Sequence, residues 1–152
     1  MNQKANDARK LLEIQPGAVA VKVQDLSGAR LDWAVAMCEG YALTTDGISH
    51  LVENERNILI LGPATTSGKP CGYSPSSYWA LGGPIIEREQ ITVEHRGDSG
   101  GWRARIWSVE KADFIESGLR GPHCDTALIA AMRCYVMSKL GEVVEIPATL
   151  IG

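Results

Sequence analysis

The stretch from Tyr73 to Glu89 reads YSPSSYWALGGPIIERE. It puts small hydroxyls (Ser74, Ser76), aromatic rings (Tyr73, Trp79), a Gly82-Gly83-Pro84 break and a charged run into one short segment. A regular helix does not tolerate Gly-Gly-Pro in its interior, and a strand does not tolerate both Pro75 and Pro84. The segment is therefore expected to be shaped for a ligand or for a tight corner. Its chemistry would be recognition: rings stack on planar groups, while hydroxyls, backbone N–H groups and arginine (Arg88 here) hold phosphate oxygens.

Arg133 is a second candidate. It stands alone as a cation in an apolar run, Ala127 to Leu140. A buried guanidinium is costly without an acceptor, so it should meet a carboxylate, a phosphate or a set of carbonyls. An internal pair with Glu39 or Glu87 answers this as well as a ligand does. A third set is Arg103, Arg105 and Trp107, which alternate with Trp102, Ala104 and Ile106. On a strand that spacing puts both arginines and the indole on one face, with Arg96 nearby.

Three motifs invite catalytic readings and do not sustain them. Gly97-Asp98-Ser99-Gly100-Gly101 matches the segment around the nucleophile of trypsin-like proteases, but it falls in a hairpin turn, where these residues are expected. Gly62 to Lys69, GPATTSGK, resembles a phosphate-binding loop with one residue too many, and Pro70 stands where a hydroxyl should bind magnesium. His123-Cys124-Asp125 are sequence neighbours, whereas catalytic partners usually come from separate elements. The cysteines at 38, 71, 124 and 134 form no C-x-x-C pair. With His50, His95 and His123 they lack the paired spacing of a zinc site, and buried thiols are expected. No metal, cofactor or catalytic residue is assigned.

The elements that must position these residues follow from periodicity. Val19, Val21 and Val23 alternate as a half-buried strand. Ser27-Gly28 opens a helix over 29–39, closed by Gly40, with the stripe Leu31, Ala34, Val35 and Cys38; Trp33 lies off that stripe beside Met37. Residues 57–61 read as a short strand and 62–72 as loop. Ile91 to His95 and Trp102 to Trp107 form a hairpin. A helix over 126–140 is capped by Asp125 or Thr126, ended by Gly141 and apolar almost all round, which predicts burial and a share in an oligomer interface. Glu142 to Ile146 is a last strand before Pro147. The expected fold is α+β: a small mixed or antiparallel sheet packed against two main helices, 29–39 and 126–140. Residues 1–17, with a short helix at 7–14, read as an N-terminal extension to a single domain over 18–152.

Composition sets outer limits. The chain has 152 residues, 45% hydrophobic and 22% charged, with a formal net charge of −3. That gives no general attraction to nucleic acid. No run is long enough to span a membrane, and the N-terminus lacks the apolar core of a signal peptide, so a cytoplasmic protein is expected.

Three blocks, taken together, resemble one family. They are Leu26 to Ala36 with Glu39-Gly40, Tyr73 to Ser76 through Trp79 to Glu89, and Ala130 to Val136 with Lys139-Leu140-Gly141. They stand in order over residues 19–150 and resemble the NinX-like proteins of tailed phages and prophages. The resemblance implies a small phage accessory protein in the host cytoplasm, and no activity. In that setting the residues point to a non-enzymatic homo-oligomer that sequesters a nucleotide-derived host immune signal, a cyclic nucleotide or an ADP-ribose derivative. The ligand set is Trp33, Tyr73, Ser74, Ser76, Trp79, Gly82, Gly83, Arg88 and Arg133. The alternatives are a recombination accessory that binds protein or single-stranded DNA through Arg103, Arg105 and Trp107, and an enzyme that cleaves nucleotide signals.

Overall fold

Residues 17–45, 50–53, 58–60, 72–97, 100–118 and 124–150 are described by a computed structural model. In chain order they form β1 (Ala18–Lys22), helix α1 (Gly28–Cys38), β2 (Ala42–Thr45), β3 (His50–Glu53), β4 (Ile58–Ile60), helix α2 (Trp79–Glu89), β5 (Thr92–His95), β6 (Trp102–Ser108), β7 (Asp113–Ser117), helix α3 (Ala127–Leu140) and β8 (Val143–Pro147). The fold is α+β.

Helix α3 is the centre. Thr126 caps it, its Oγ1 accepting the Ile129 N–H at 3.1 Å. Eleven of its fourteen residues are buried. One side lies on β5, β6 and β7; the others meet α1, α2 and β8. Its all-round apolar surface thus packs inside the chain. The core around it includes Leu31, Trp33, Val35 and Met37 of α1, Ile85 of α2, Ala104 and Ile106 of β6, and Val144 and Ile146 of β8.

Among the described residues all the sheets are antiparallel, and there are three small ones where one was expected: β1-β8, β2-β3-β4 and β5-β6-β7. The predicted hairpin is present as β5 and β6, with Val93 opposite Ala104 and Glu94 opposite Arg103. β7 extends it, with Trp107 opposite Phe114 and Arg105 opposite Glu116. Strand β8 returns from the end of α3 to pair with β1, Val21 opposite Val144. The β1–β8 ribbon therefore joins the two ends of the described chain.

A third helix, α2, is the main correction. Gly82, Gly83 and Pro84 lie inside it. The missing Pro84 N–H deprives the Ala80 carbonyl of its helical partner. Ala80 and Pro84 are both on the exposed side, where water can serve that carbonyl. The helix ends in a Schellman turn: Ile91 N–H returns to Ile86 O at 3.0 Å and Gln90 N–H to Glu87 O at 3.3 Å. Gln90 takes the left-handed conformation there, φ 54°.

Candidate functional site

The segment leading into α2 is anchored by a carboxylate that the motif reading passed over. Asp32, in the middle of α1, is buried, and its Oδ1 accepts the Ser76 backbone N–H at 2.8 Å. Burial pushes its pKa up to about 6, against the lowering effect of the Ser76 N–H and hydroxyl. The bond ties residues 73–76 to α1. Tyr73 beside it is buried and meets Tyr41 edge to face at 5.3 Å. Burial also pushes the Tyr73 phenol up, with Glu39, Tyr41 and Asp32 contributing in the same direction.

Ser74 ends this anchor and begins the approach to α2. Its carbonyl accepts from Ser77 N–H at 3.1 Å and Tyr78 N–H at 2.9 Å. Its hydroxyl is buried with no hydrogen-bond partner. The Tyr78 carbonyl takes the N–H groups of Leu81 and Gly82, each at 3.0 Å, and no side chain caps the helix. The N–H groups of Trp79 and Ala80 have no acceptor among the described residues. Trp79 stands at this start and is 58% exposed. Gly83, one turn on, leaves the ring uncrowded: a Cβ there would lie 3.9 Å from Trp79 Cε3. Gly82 faces inward, where a Cβ would strike the Pro75 carbonyl oxygen and approach Leu128 Cδ2 to 2.6 Å.

At the other end of α2, Arg88 is engaged internally. Its Nη2 donates to both Glu39 carboxylate oxygens at 3.0 Å and to the Tyr135 hydroxyl at 3.2 Å. Lys139 approaches Glu89 at 3.7 Å. The cluster clamps the C-terminal ends of α1 and α2 to α3. Arg133 is also satisfied from within. Its Nε donates to the Leu26 carbonyl at 2.7 Å and its Nη1 lies 3.4 Å from Cys124 Sγ. Of the acceptors expected for it, a carbonyl is the one found; Glu39 belongs to Arg88.

The nine residues selected from the sequence thus divide. Tyr73, Ser74, Ser76, Trp79, Gly82 and Gly83 come together at the loop and the start of α2. Arg88 lies at the far end of the helix, held by Glu39. Trp33 is 1% exposed and packs in the core, so it presents no face for stacking in this structure. Arg133 is buried against Leu26 and Cys124. Asp32, Tyr41 and Tyr135 were missed, and Glu39 was offered only as a partner for Arg133. One carboxylate inside the apolar run Leu31 to Cys38 was the available signal for Asp32.

The second surface has the predicted arrangement. Arg103, Arg105 and Trp107 share one face of β6, and Phe114 of β7 joins them. Trp107 and Phe114 meet edge to face at 5.1 Å, and both are exposed. Of the motifs set aside, 62–69, Cys71, His123 and the Asp98-Ser99 pair lie outside the described residues. Gly97, Gly100 and Gly101 all have positive φ, so the glycines of that turn answer a backbone need. Cys38, Cys124 and Cys134 are buried thiols that form no disulfide among the described residues, and burial pushes the Cys134 thiol up to about 12. Among the described residues no three His, Cys, Asp or Glu side chains are grouped to hold a metal. No helix among them is long and apolar enough to cross a membrane.

A family model described as bacteriophage P22, NinX matches residues 22–139. The match runs from the end of β1 almost to the end of α3 and takes in both anchors of the 73–76 segment, Asp32 and Gly82. No curated protein matches the chain.

Proposed function

The chain belongs to the bacteriophage P22 NinX family, and from that premise we propose that it is a phage accessory protein that binds and sequesters a small nucleotide-derived host immune signal. The ligand is a cyclic nucleotide or an ADP-ribose derivative, held without chemistry and so withdrawn from anti-phage defence. The observation that carries this reading is the exposed Trp79 indole at the uncapped start of α2. The ring offers a face to a base. The free N–H groups of Trp79 and Ala80 and the positive end of the helix dipole favour a phosphate beside it. The unpartnered Ser74 hydroxyl and the Ser76 backbone, fixed by Asp32, back the same corner. A stacking platform with anion-binding amides suits retention of a nucleotide, and the arrangement contains no paired acid and base among the described residues.

The test is calorimetric titration of the purified chain against cyclic dinucleotides, cyclic ADP-ribose isomers and linear ADP-ribose derivatives. One of these is expected to bind and to be recovered intact after heat denaturation. Trp79→Ala should weaken it by about 5- to 150-fold, the loss of about 1–3 kcal/mol of ring stacking. Recovery of an altered ligand would make the chain an enzyme. Failure of every compound to bind would remove the reading.

A further inference from the structure

Arg105 and Glu116 are opposite each other on β6 and β7, yet neither neutralises the other. The Arg105 guanidinium lies over the Phe114 ring, 4.7 Å from its centroid. Its Nε is buried with no hydrogen-bond partner. Glu116 likewise has no hydrogen bond or ion pair among the described residues. The neighbouring cation on the same face behaves differently: Arg103 Nε holds Glu94 at 2.7 Å. Arg105 and Glu116, neither held in a hydrogen bond or ion pair among the described residues, thus stand side by side, next to Trp107, 53% exposed, and Phe114, 42% exposed.

We propose that this face of β6 and β7 is the contact between two copies of the chain related by a two-fold axis. A two-fold interface is made by one patch meeting itself, so each contact occurs twice with the roles exchanged. A patch carrying one free cation and one free anion is complementary to its own copy: Arg105 meets the partner's Glu116, and Glu116 meets the partner's Arg105. Stacking on Phe114 leaves the edge of the guanidinium free to donate, and holds it in place before the partner arrives. Trp107 and Phe114 pack beside the pairs and exclude water; tryptophan and arginine dominate the centres of such interfaces. A single-stranded nucleic acid would use the aromatic rings but would pass Glu94 and Glu116 on the same face. The balance of charge favours a second copy.

Charge exchange tests this directly. R105E leaves two carboxylates on the patch and E116R leaves two guanidinium groups. By sedimentation equilibrium the unaltered chain is expected at twice the chain mass at about 100 µM, a concentration that populates a dimer of micromolar Kd. Each variant alone should sediment as a single chain while keeping its far-ultraviolet circular dichroism. An equimolar mixture of the two should recover the double mass, because each supplies what the other lacks. An unaltered chain that stays single would overturn the proposal. So would variants that remain dimeric, or a mixture that fails to reassociate. If the single chain instead shifts a labelled oligothymidine in a salt-sensitive way that W107A abolishes, the face belongs to nucleic acid.

Discussion

At the scale of single residues, Asp32 is the group whose chemistry can be isolated. Its pKa rises from the ordinary 3.8 to about 6 in the folded chain because burial disfavours the carboxylate. Between those values the native state holds a proton that the unfolded chain has released. The native state therefore binds more protons there, and the contribution of Asp32 to stability falls as pH rises from about 4 to 6. Above that range the buried charge costs the full difference, roughly 2–3 kcal/mol. Asp32→Asn removes the charge and keeps an oxygen for the Ser76 N–H. Urea unfolding should show the variant gaining roughly 2–3 kcal/mol on the natural chain between pH 4 and pH 7. A difference that does not vary with pH would mean that Asp32 has an ordinary pKa. Its carboxylate then anchors the 73–76 segment without cost.

At the scale of elements, two adjacent glycines separate packing from propensity. A Cβ on Gly82 would enter the space of the Pro75 carbonyl and Leu128, both of which are buried. Gly82→Ala must push α2 away from the 73–76 segment, and it should destabilise the chain by about 1–3 kcal/mol, the usual range for overpacking. Gly83→Ala meets only the Trp79 ring at ordinary contact distance. It should be neutral or stabilise by up to about 1 kcal/mol, because alanine is the better helix former. Thermal melts of the two variants should move apart, and equal shifts would mean that Gly82 is not a contact point. The same pair explains what the sequence concealed. Helices α1 and α3 and the β5–β6 hairpin were legible because apolar spacing and end signals agreed in each. Helix α2 was not, since Gly-Gly-Pro argues locally against a helix while Gly82 answers a tertiary contact with Pro75 and Leu128. The candidate site was half legible for the same reason. Loop composition marked Tyr73 to Gly83, but residue type alone could not show that Trp33 faces inward and Trp79 outward. Nor could it assign Glu39 to Arg88 rather than to Arg133. Strand β7 was missed because it carries only two large apolar residues, Phe114 and Ile115, between charged ones.

At the scale of the molecule, stability depends on how the ends of the described chain are closed. Strand β1 has β8 as its one partner among the described strands, and the β1–β8 ribbon is a sheet of two. A two-stranded ribbon is marginal by itself, so it must be held by what its side chains bury. On β8 the burial alternates: Val144 and Ile146 face the core while Val143 and Glu145 face outward. Ile146 is fully buried and Val143 is 47% exposed. Val23, just past β1, adds a backbone bond to Glu142 O at 2.9 Å, and the Ala148 N–H reaches Gly17 O at 2.7 Å. The ribbon is thus pinned at both ends and along one face, and it should melt with the core and not before it. Ile146→Ala should cost about 2–5 kcal/mol, a large share of the ~5–15 kcal/mol that holds a domain of this size. Val143→Ala, on the open face of the same strand, should cost about 0.5 kcal/mol or less. Hydrogen exchange of the α3 amides distinguishes the two ways in which Ile146→Ala can act. If ribbon and core unfold together, the protection of α3 falls by the same free energy as global stability. If β8 frays alone, α3 keeps its protection while β1 loses its own, and the chain ends are then closed by an element independent of the core.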